Sequence, residues 1–315
     1  MYIGIDIGGT NLVAGLTNGK GQIIDKVSRP VDKSWDPSEV CRQTAQLALQ
    51  AAQVGGFKPE QIQAVGVGLP GLVDNKTGVA VQTPNMPFSN TPFRALFQEE
   101  WDIPVFLGND ANCAAIGEYW AGAAKGRDPA VVITLGTGIG GGLVAGGKLY
   151  TGAANSGMEV GHMCIHPNGA LCNCGRRGCW EQYGSASALI RITREEMERS
   201  PQSALWECAE GDLFKVSGRT AFQAARSGDE TARKVLSRYL QGLSLGLINI
   251  VNILQPEIIC LGGGVSNAED DLLLDPLREL VRSGCFDPAN PPRLERASLG
   301  NDAGVVGAAL LCNLV

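Results

Sequence analysis

The chain has no Gly-x4-Gly-Lys-Ser/Thr run, no apolar stretch long enough to cross a bilayer, no low-complexity tract and no linker longer than the patch from Pro288 to Pro292. The first absence removes the P-loop fold and the second removes a transmembrane helix. Charge is sparse as well: 18% of residues are charged, and the formal net charge of -6 argues against a general nucleic-acid or membrane-surface binder. The N-terminus runs straight into Tyr2-Ile-Gly-Ile-Asp6 with no basic segment and no long apolar run, so no signal peptide is expected and the protein is placed in the cytoplasm. There, ten cysteines are expected to serve as metal ligands and small core hydrophobes and not as disulfides.

At 315 residues and 44% hydrophobic content, the chain can bury a large core, most simply as two domains. The densest chemistry lies between Glu159-Val-Gly-His162 and Cys172-Asn-Cys174-Gly-Arg-Arg-Gly-Cys179-Trp-Glu181. One imidazole and three thiols fall within eighteen residues, and tight turns let the loop fold back on itself. A tetrahedral Cys3His zinc site is the natural product of His162, Cys172, Cys174 and Cys179. It would be structural, because the protein fills all four positions. Cys164 and His166 lie nearby as spare ligands, outside the compact run. Unrelated loop cysteines are the plainer alternative; a redox dithiol does not suit Cys-x-Cys spacing. Glu159 and Glu181 bracket the cluster as carboxylates that a fixed loop can aim.

Read in order, Tyr2–Ile7 and Asn11–Thr17 form a hairpin around Gly8-Gly9, with Thr10 at its mouth, and residues 22–27 add a third strand. A helix from Glu39 to Val54 and a strand from Ile62 to Gly68 complete a βββαβ order. A helix from Pro92 to Trp101 and a strand from Pro104 to Gly108 follow, and Asn109-Asp110 then sits where that strand meets a helix over 111–123. The strand Ala130–Leu135 turns through Gly136-Thr137-Gly138 and further glycines into a second strand over 143–145, and Gly146-Gly147 marks another hairpin. This loosely repeats the opening hairpin. Helices are expected over 185–199, 220–227, 229–254, 270–282 and 303–314, and strands over 257–261 and 292–297, the first running into Gly262-Gly263-Gly264.

The 42 glycines gather in clusters, where backbone N–H groups can converge on anions, and three such turns suggest a polyphosphate nucleotide. The turn at Gly136 satisfies Gly-x-Gly-x-x-Gly, but a strand and not a helix follows it, so the dinucleotide context fails. Thr10 and Thr137 suit a grip on phosphates from two hairpins, and Asp6 is placed to hold Mg2+ directly or through water. Tight turns without ligand and a turn-capping carboxylate are the plain alternatives. Asp110, at the positive end of a helix, suits a general base that takes a proton from an attacking hydroxyl, and it equally suits a helix N-cap. Asn109 and Asn85 either orient a hydroxyl or finish turns.

Taken together, Asp6-Ile-Gly-Gly-Thr10, Pro70-Gly-Leu-Val-Asp74, Pro84-Asn85, Gly108-Asn-Asp-Ala-Asn112, Leu135-Gly-Thr-Gly138, Glu159-Val-Gly-His162, the cysteine run and Gly262-Gly263-Gly264 resemble the ROK family of sugar kinases and sugar-responsive repressors. That family lies within the actin, Hsp70 and hexokinase fold group. The resemblance implies an α/β, two-lobed actin-like ATPase (ribonuclease H-like) fold with a cleft between the lobes. The expected N-terminal lobe is 1–121 plus 300–315, and the larger lobe, 122–299, carries the zinc loop. It implies Asp110 as catalytic base, and Asn85, Asn109, Asp110, Glu159, His162 and Glu181 as sugar ligands. It implies ATP contacts at Asp6, Gly8, Gly9, Thr10, Asn11, Gly136, Thr137, Gly138, Gly262, Gly263 and Gly264, with zinc among His162, Cys172, Cys174 and Cys179. His162 is asked to serve both sugar and zinc, which its two nitrogens permit. Asn11 departs from the Lys that many members carry after Gly-Gly-Thr.

With the first strand beginning at residue 2, no helix-turn-helix is expected. The reading is a Mg-ATP hexose kinase that closes around its sugar, with a hinge near the helix over 111–123, and that forms a homodimer or larger assembly. Glucose is the favoured substrate. N-acetylglucosamine, N-acetylmannosamine, mannose, allose and fructose stay open, with Met86, Pro87 and Asn155 as candidates for telling them apart. A non-catalytic sugar-binding regulator is the alternative of another class.

Overall fold

The computed structural model describes residues 1–83 and 86–313. It opens with an antiparallel meander of β1 (Tyr2–Ile7), β2 (Asn11–Thr17) and β3 (Ile23–Pro30). β3 alternates half-buried with exposed residues along its whole length, as a strand with one solvated face must. α1 (Pro37–Val54) starts on a sharp local signal: the Asp36 carboxylate accepts from the Glu39 N–H at 2.8 Å, and proline fills the first position. Its buried stripe of Val40, Leu47, Ala48 and Ala51 joins the sheet's core. β4 (Ala64–Leu69) is buried throughout and runs parallel to β1.

Residues 72–91 hold three short strands that hydrophobic alternation does not reveal: β5 (Leu72–Asp74), β6 (Val79–Gln82) and β7 (Ser89–Thr91). They make a small antiparallel sheet, each strand too short to display a period. α2 is confined to Phe93–Gln98, shorter than the expected Pro92–Trp101. The Gln98 amide donates to the Ile103 carbonyl at 2.8 Å, turning the chain into β8 (Val105–Asn109) instead of extending the helix. β8 is parallel to β4, giving the sheet order β3-β2-β1-β4-β8. α3 (Asp110–Ala121) leaves the carboxyl end of β8.

β9 (Ala130–Leu135), β10 (Ile139–Ala145) and β11 (Lys148–Tyr150) follow. Of the glycines expected to turn before residue 143, Gly136 and Gly138 do so, whereas Gly140, Gly141 and Gly142 are inside β10. Gly142 is required there for close approach, because a Cβ would lie 2.5 Å from that of Ala115 in α3. After the cysteine loop come α4 (Glu181–Gly184), α5 (Ala186–Arg199), α6 (Leu205–Cys208), α7 (Thr220–Arg226) and α8 (Glu230–Leu254). Ser185 and Asp229 cap α5 and α8 through their side chains. β12 (Ile258–Gly262) is buried along its whole length.

α9 spans Leu274–Gly284, four residues later than the start expected at Asp270. Arg296 explains the delay: its guanidinium donates to the carbonyls of Ser266 and Ala268 and to the Asp270 carboxylate, at 2.5 to 2.7 Å, and holds that stretch as a loop. β13 (Arg293–Arg296) is parallel to β12, in a second sheet of order β11-β10-β9-β12-β13. α10 (Ala303–Leu310) continues as a single 3-10 turn over Leu311–Asn313, and residue 314, the end of the expected helix, lies outside the described residues.

Contacts divide the chain into two compact units. The first comprises 1–132, 142–158 and 297–315, and the second comprises 133–141 and 159–296. Residues 122–132 and 142–158 thus group with the first unit, whereas the expected boundary lay at 121/122. Within the first unit, α10 packs directly on α3, β1 and β4. A Cβ on Gly307 would fall 1.6 Å from the Cys113 carbonyl, and one on Gly66 would fall 1.7 Å from that of Ala308. Beside this packing sits Glu118, fully buried on α3. Its carboxylate accepts from the N–H groups of Ala123, Ser298 and Leu299 at 2.7 to 3.0 Å and from the Ser298 hydroxyl at 3.3 Å. A buried charge persists only when satisfied in this way. Glu118 therefore ties the segment entering α10 to the end of α3.

Candidate active site and metal centre

In the first unit, Asp6 lies near the end of β1, paired in register with Val13 on β2 and Gly68 on β4. Gly304, in the first turn of α10, packs so tightly on it that a Cβ there would lie 3.2 Å from the Asp6 carboxyl carbon. Burial, and secondarily the negative charge of Asp110, push the Asp6 pKa up to about 6. The turn that follows is closed by the Gly8 N–H donating to the Asn11 carbonyl at 2.9 Å. Thr10 and Asn11 are exposed at its mouth, with their side chains 3.4 Å apart. Gly9 has open space around it.

Asn109 ends β8 and caps α3. Its side-chain oxygen accepts from the N–H groups of Ala111 and Asn112 at 3.0 and 3.2 Å, and its amide donates to the Gly71 carbonyl at 3.1 Å. Asp110 is thereby fixed as the first residue of the helix, one oxygen accepting from the Ala111 N–H at 2.8 Å. Its side chain reaches solvent, yet protein crowds the carboxylate and this desolvation raises its pKa. The N–H groups of Ala111 and of Asp110 itself and the Asn109 amide pull the other way. The first unit thus brings Asp6 and Asp110 within electrostatic reach of each other. Asn155, a candidate for sugar discrimination, donates to Asp74 at 3.5 Å. Asn85 lies outside the described residues.

In the second unit, the turn Gly136-Thr137-Gly138 is closed by the Gly136 N–H donating to the Gly138 carbonyl at 3.1 Å, and the Gly136 carbonyl accepts from Ala186 at the start of α5 at 2.9 Å. Thr137 is exposed there. Gly262 ends β12, and Gly263 has a φ of 88°, with any Cβ only 2.4 Å from the Leu135 carbonyl. Position 263 therefore requires glycine. Gly264 is exposed with open space around it. These turns present bare backbone of the kind that accommodates anions.

The cysteine loop has almost no regular structure. It is folded by the Ile165 N–H donating to the Gly178 carbonyl, Gly178 N–H to Ala170, Cys172 N–H to Arg176 and Trp180 N–H to Met163, all at 2.8 to 2.9 Å. Trp180 anchors it: the ring is fully buried and donates to the Gly242 and Leu243 carbonyls of α8 at 3.1 and 3.2 Å. The donor atoms of His162, Cys172, Cys174 and Cys179 all lie within 4.8 Å of one another. His162 Nδ1 is 3.7 Å from Cys172 Sγ, and the sulfurs of Cys174 and Cys179 are 3.6 Å apart. Ligands of a tetrahedral site with metal–sulfur bonds near 2.3 Å stand about 3.8 Å apart. Donor type and spacing therefore fit Zn2+.

Burial first, and then the Glu181 hydrogen bond, push the Cys172 thiol up to about 12. Backbone donation from Arg176 is the main cause that brings Cys174 down to about 6. Arg176 itself, whose importance nothing in the spacing signals, also donates to the His162 carbonyl at 3.3 Å. Cys164 and His166 stand apart from the cluster: the Cys164 thiol donates to the Arg177 carbonyl at 3.6 Å, and the His166 ring packs on Tyr183 with centroids 4.9 Å apart.

Glu181, the first residue of α4, sits against this cluster. One carboxylate oxygen is 2.9 Å from Cys172 Sγ and 3.9 Å from His162 Nδ1, and the other would lie 2.6 Å from a Cβ at Gly138. The four donor side chains, a carboxylate and a glycine turn thus converge in one place. Glu159 is exposed just before the 3-10 turn that carries His162.

The ROK family profile matches residues 2–314. The glucokinase of Thermotoga maritima is 37% identical over 315 residues, covering 98% of this chain and 95% of that protein. A solved ROK family glucokinase from Streptomyces griseus, in complex with glucose and AMPPNP, matches with a TM-score of 0.83 at 34% identity, covering 98% of this chain and 97% of that one. The ROK hexokinase of Thermus thermophilus matches with a TM-score of 0.81, also at 34% identity, over 98% and 97% of the two chains. The expected α/β fold of the actin-like ATPase group is the fold of these kinases. With its profile matched over almost every residue, the chain belongs to the ROK family.

Proposed function

We propose that the protein is a sugar kinase that transfers the γ-phosphoryl group of ATP to the 6-hydroxyl of glucose. The full-length match to glucokinases, one of them solved with glucose and AMPPNP, carries this reading. The geometry supports the following roles. Asp110, held at the first turn of α3 with a raised pKa, is a carboxylate that can take a hydroxyl proton as the oxygen attacks the γ-phosphorus and the bond to ADP breaks. Asn109 keeps it in place through the cap. Glu159, His162 and Glu181 are the proposed sugar ligands of the second unit, and Asn85 and Asn109 those of the first. The turns at Gly8, Gly9, Thr10 and Asn11, at Gly136, Thr137 and Gly138, and at Gly262, Gly263 and Gly264 are the proposed nucleotide contacts.

Mg2+ bound with ATP would neutralise phosphate charge, with Asp6 as the residue of this chain to hold it. Zn2+ at His162, Cys172, Cys174 and Cys179 would have no open position and would act by fixing the loop that presents Glu181. No helix among the described residues is long and apolar enough to cross a membrane. The likeness to glucokinases supports a cytoplasmic place in glycolysis. Exposed Ile253 on α8 and exposed Phe286, whose N–H donates to the Asn252 side chain, support a homodimer or larger assembly, to be tested by light scattering.

The deciding assay is coupled ADP release with Mg-ATP against glucose, mannose, fructose, allose, N-acetylglucosamine and N-acetylmannosamine. Turnover on glucose well above the others is expected. Preference for an N-acetylated sugar would move the substrate, and sugar binding without any turnover would replace the kinase with a regulator.

A further inference from the structure

Away from these residues, the first unit contains a cavity of about 520 Å3, within the size range of small-molecule sites. Three pieces of chain wall it: the β2–β3 turn, the turn after α3 and the connector from β13 into α10. Lys20 and Lys125 line it, and neither ammonium has an ion-pair partner among the described residues. Both lysines sit on backbone that hydrogen bonds hold in place. The Asn18 side chain accepts from the N–H groups of Lys20 and Gln22 at 2.9 and 3.1 Å, and the Lys125 N–H donates to the Gly122 carbonyl at 3.2 Å. Gly21, with a φ of 77°, is pressed against α3 and α10 so closely that a Cβ would lie 3.0 Å from both Ala121 and Val306. The β2–β3 turn is thus part of a fixed wall.

The one acidic side chain in the lining, Asp302, is already paired with Lys26 at 2.5 Å. Glu118 lies behind the wall with its charge taken up by the N–H groups of Ser298 and Leu299. The lining therefore keeps two uncompensated positive charges over an apolar floor that includes Leu299 and Val306. Lysine acts as a point charge toward phosphate, and two of them suit a dianion on a small body. The same connector leads through Asp302 into α10, whose Gly304 packs on the Asp6 carboxylate. A ligand bound against Asp302 and Val306 therefore touches the same segment that packs on Asp6.

We propose that this cavity is an effector site for a small phosphate monoester, held by Lys20 and Lys125 and felt at Asp6 through the connector into α10. The test is calorimetric titration of the whole protein with glycerol 3-phosphate, with glucose and Mg-AMPPNP saturating so that the phosphate-binding turns are filled. One binding event is expected, weakening as salt is raised. Lys20→Ala combined with Lys125→Ala should lower its affinity roughly tenfold. Lys20→Arg with Lys125→Arg should retain binding, and turnover without the monoester should be unchanged in both variants. Saturating glycerol 3-phosphate should shift the KM for Mg-ATP of the native enzyme by roughly fivefold, within the usual span of allosteric coupling. Absence of binding, equal affinity in the double-alanine variant, or an unmoved KM would each overturn the proposal.

Discussion

The acidic corner of the first unit and the cysteine loop of the second are built on opposite principles. Asp6 and Asp110 are set by a strand end and a capped helix, so their positions follow from the sheet and from α3 and need no ligand. Both carboxylates are desolvated, and their raised pKa values mean that this arrangement costs stability whenever they are ionised. The cysteine loop has two isolated β-bridges, Cys164 with Cys179 and Leu171 with Arg177, and four converging donors. There, a bound ion is what would hold the geometry. The first region carries an electrostatic cost, and the second, held by backbone bonds and Trp180, would gain further order from a metal.

Asp110→Asn should produce the largest change. Asparagine can still accept the Ala111 N–H bond, so fold and sugar affinity should persist, while loss of the base lowers kcat by roughly 10²–10⁴-fold. Steady-state rates beside a glucose titration check this, and retained turnover would remove Asp110 from its role. The base must also be ionised to act, so kcat/KM of the native enzyme should fall as pH drops through the raised pKa of Asp110.

Cys174→Ala should come next and show the opposite dependence. Metal content should fall below one zinc per chain, Tm should drop by about 10 °C, and the KM for glucose should rise roughly tenfold as Glu181 loses its support. Unchanged zinc by metal analysis would refute the ligand set. Chelation of the native protein should reproduce the variant.

A third change separates scaffold from site within the first unit. Glu118→Gln puts an amide NH2 against backbone N–H donors that now share two carboxylate oxygens, which should cost about 2–3 kcal/mol and be visible in urea melts. An unchanged midpoint would mean that the connector into α10 does not depend on this carboxylate.

The parts that were legible in the sequence are those with local causes. The helices expected over 39–54, 185–199 and 229–254 are present because apolar spacing is local; each begins on a side-chain cap, Asp36, Ser185 or Asp229, the first of them starting two residues earlier than expected. His162 and the three cysteines announce themselves by spacing, and the chain folds them into one cluster. The rest depends on partners distant in sequence. Glu118 reads as an ordinary helical glutamate, and its acceptor role exists only because Ser298 and Leu299 return to it. The glycines of β10 read as a turn because their requirement comes from α3 packing on Gly142. The start of α9 is set by Arg296, twenty-six residues beyond Asp270. Cys164 and His166 share the cysteine stretch with the four converging donors, and only the folded geometry separates them.

Asp6→Asn should sharpen the comparison by stabilising the protein. The folded-state pKa of Asp6 is about 6 against an ordinary value of 3.8, so the folded chain holds this proton more tightly than the unfolded chain does. Stability from this group is therefore greatest below pH 4, declines as pH rises through about 6, and stays reduced above it. Asparagine carries no such charge. Its gain, about 2–3 kcal/mol, should be complete near neutral pH and vanish in acid. Melting curves across that range check it; a gain that did not shrink in acid would mean that packing, and not desolvation, is responsible.

The smallest expected effect tests the edge of the metal group. Cys164 lies on the strand-like bridge to Cys179, so its backbone is close to a ligand while its thiol is turned to the Arg177 carbonyl at 3.6 Å and exposed. Cys164→Ser keeps a donor for that carbonyl and leaves the four converging atoms untouched. Stability should change by less than about 0.5 kcal/mol, the range of surface substitutions, and zinc per chain should be the same. Loss of zinc in this variant, with zinc retained in Cys174→Ala, would exchange the two residues in the ligand set. The loop would then have to rearrange on metal binding, making its order even more dependent on the ion than the geometry of the four donors already indicates.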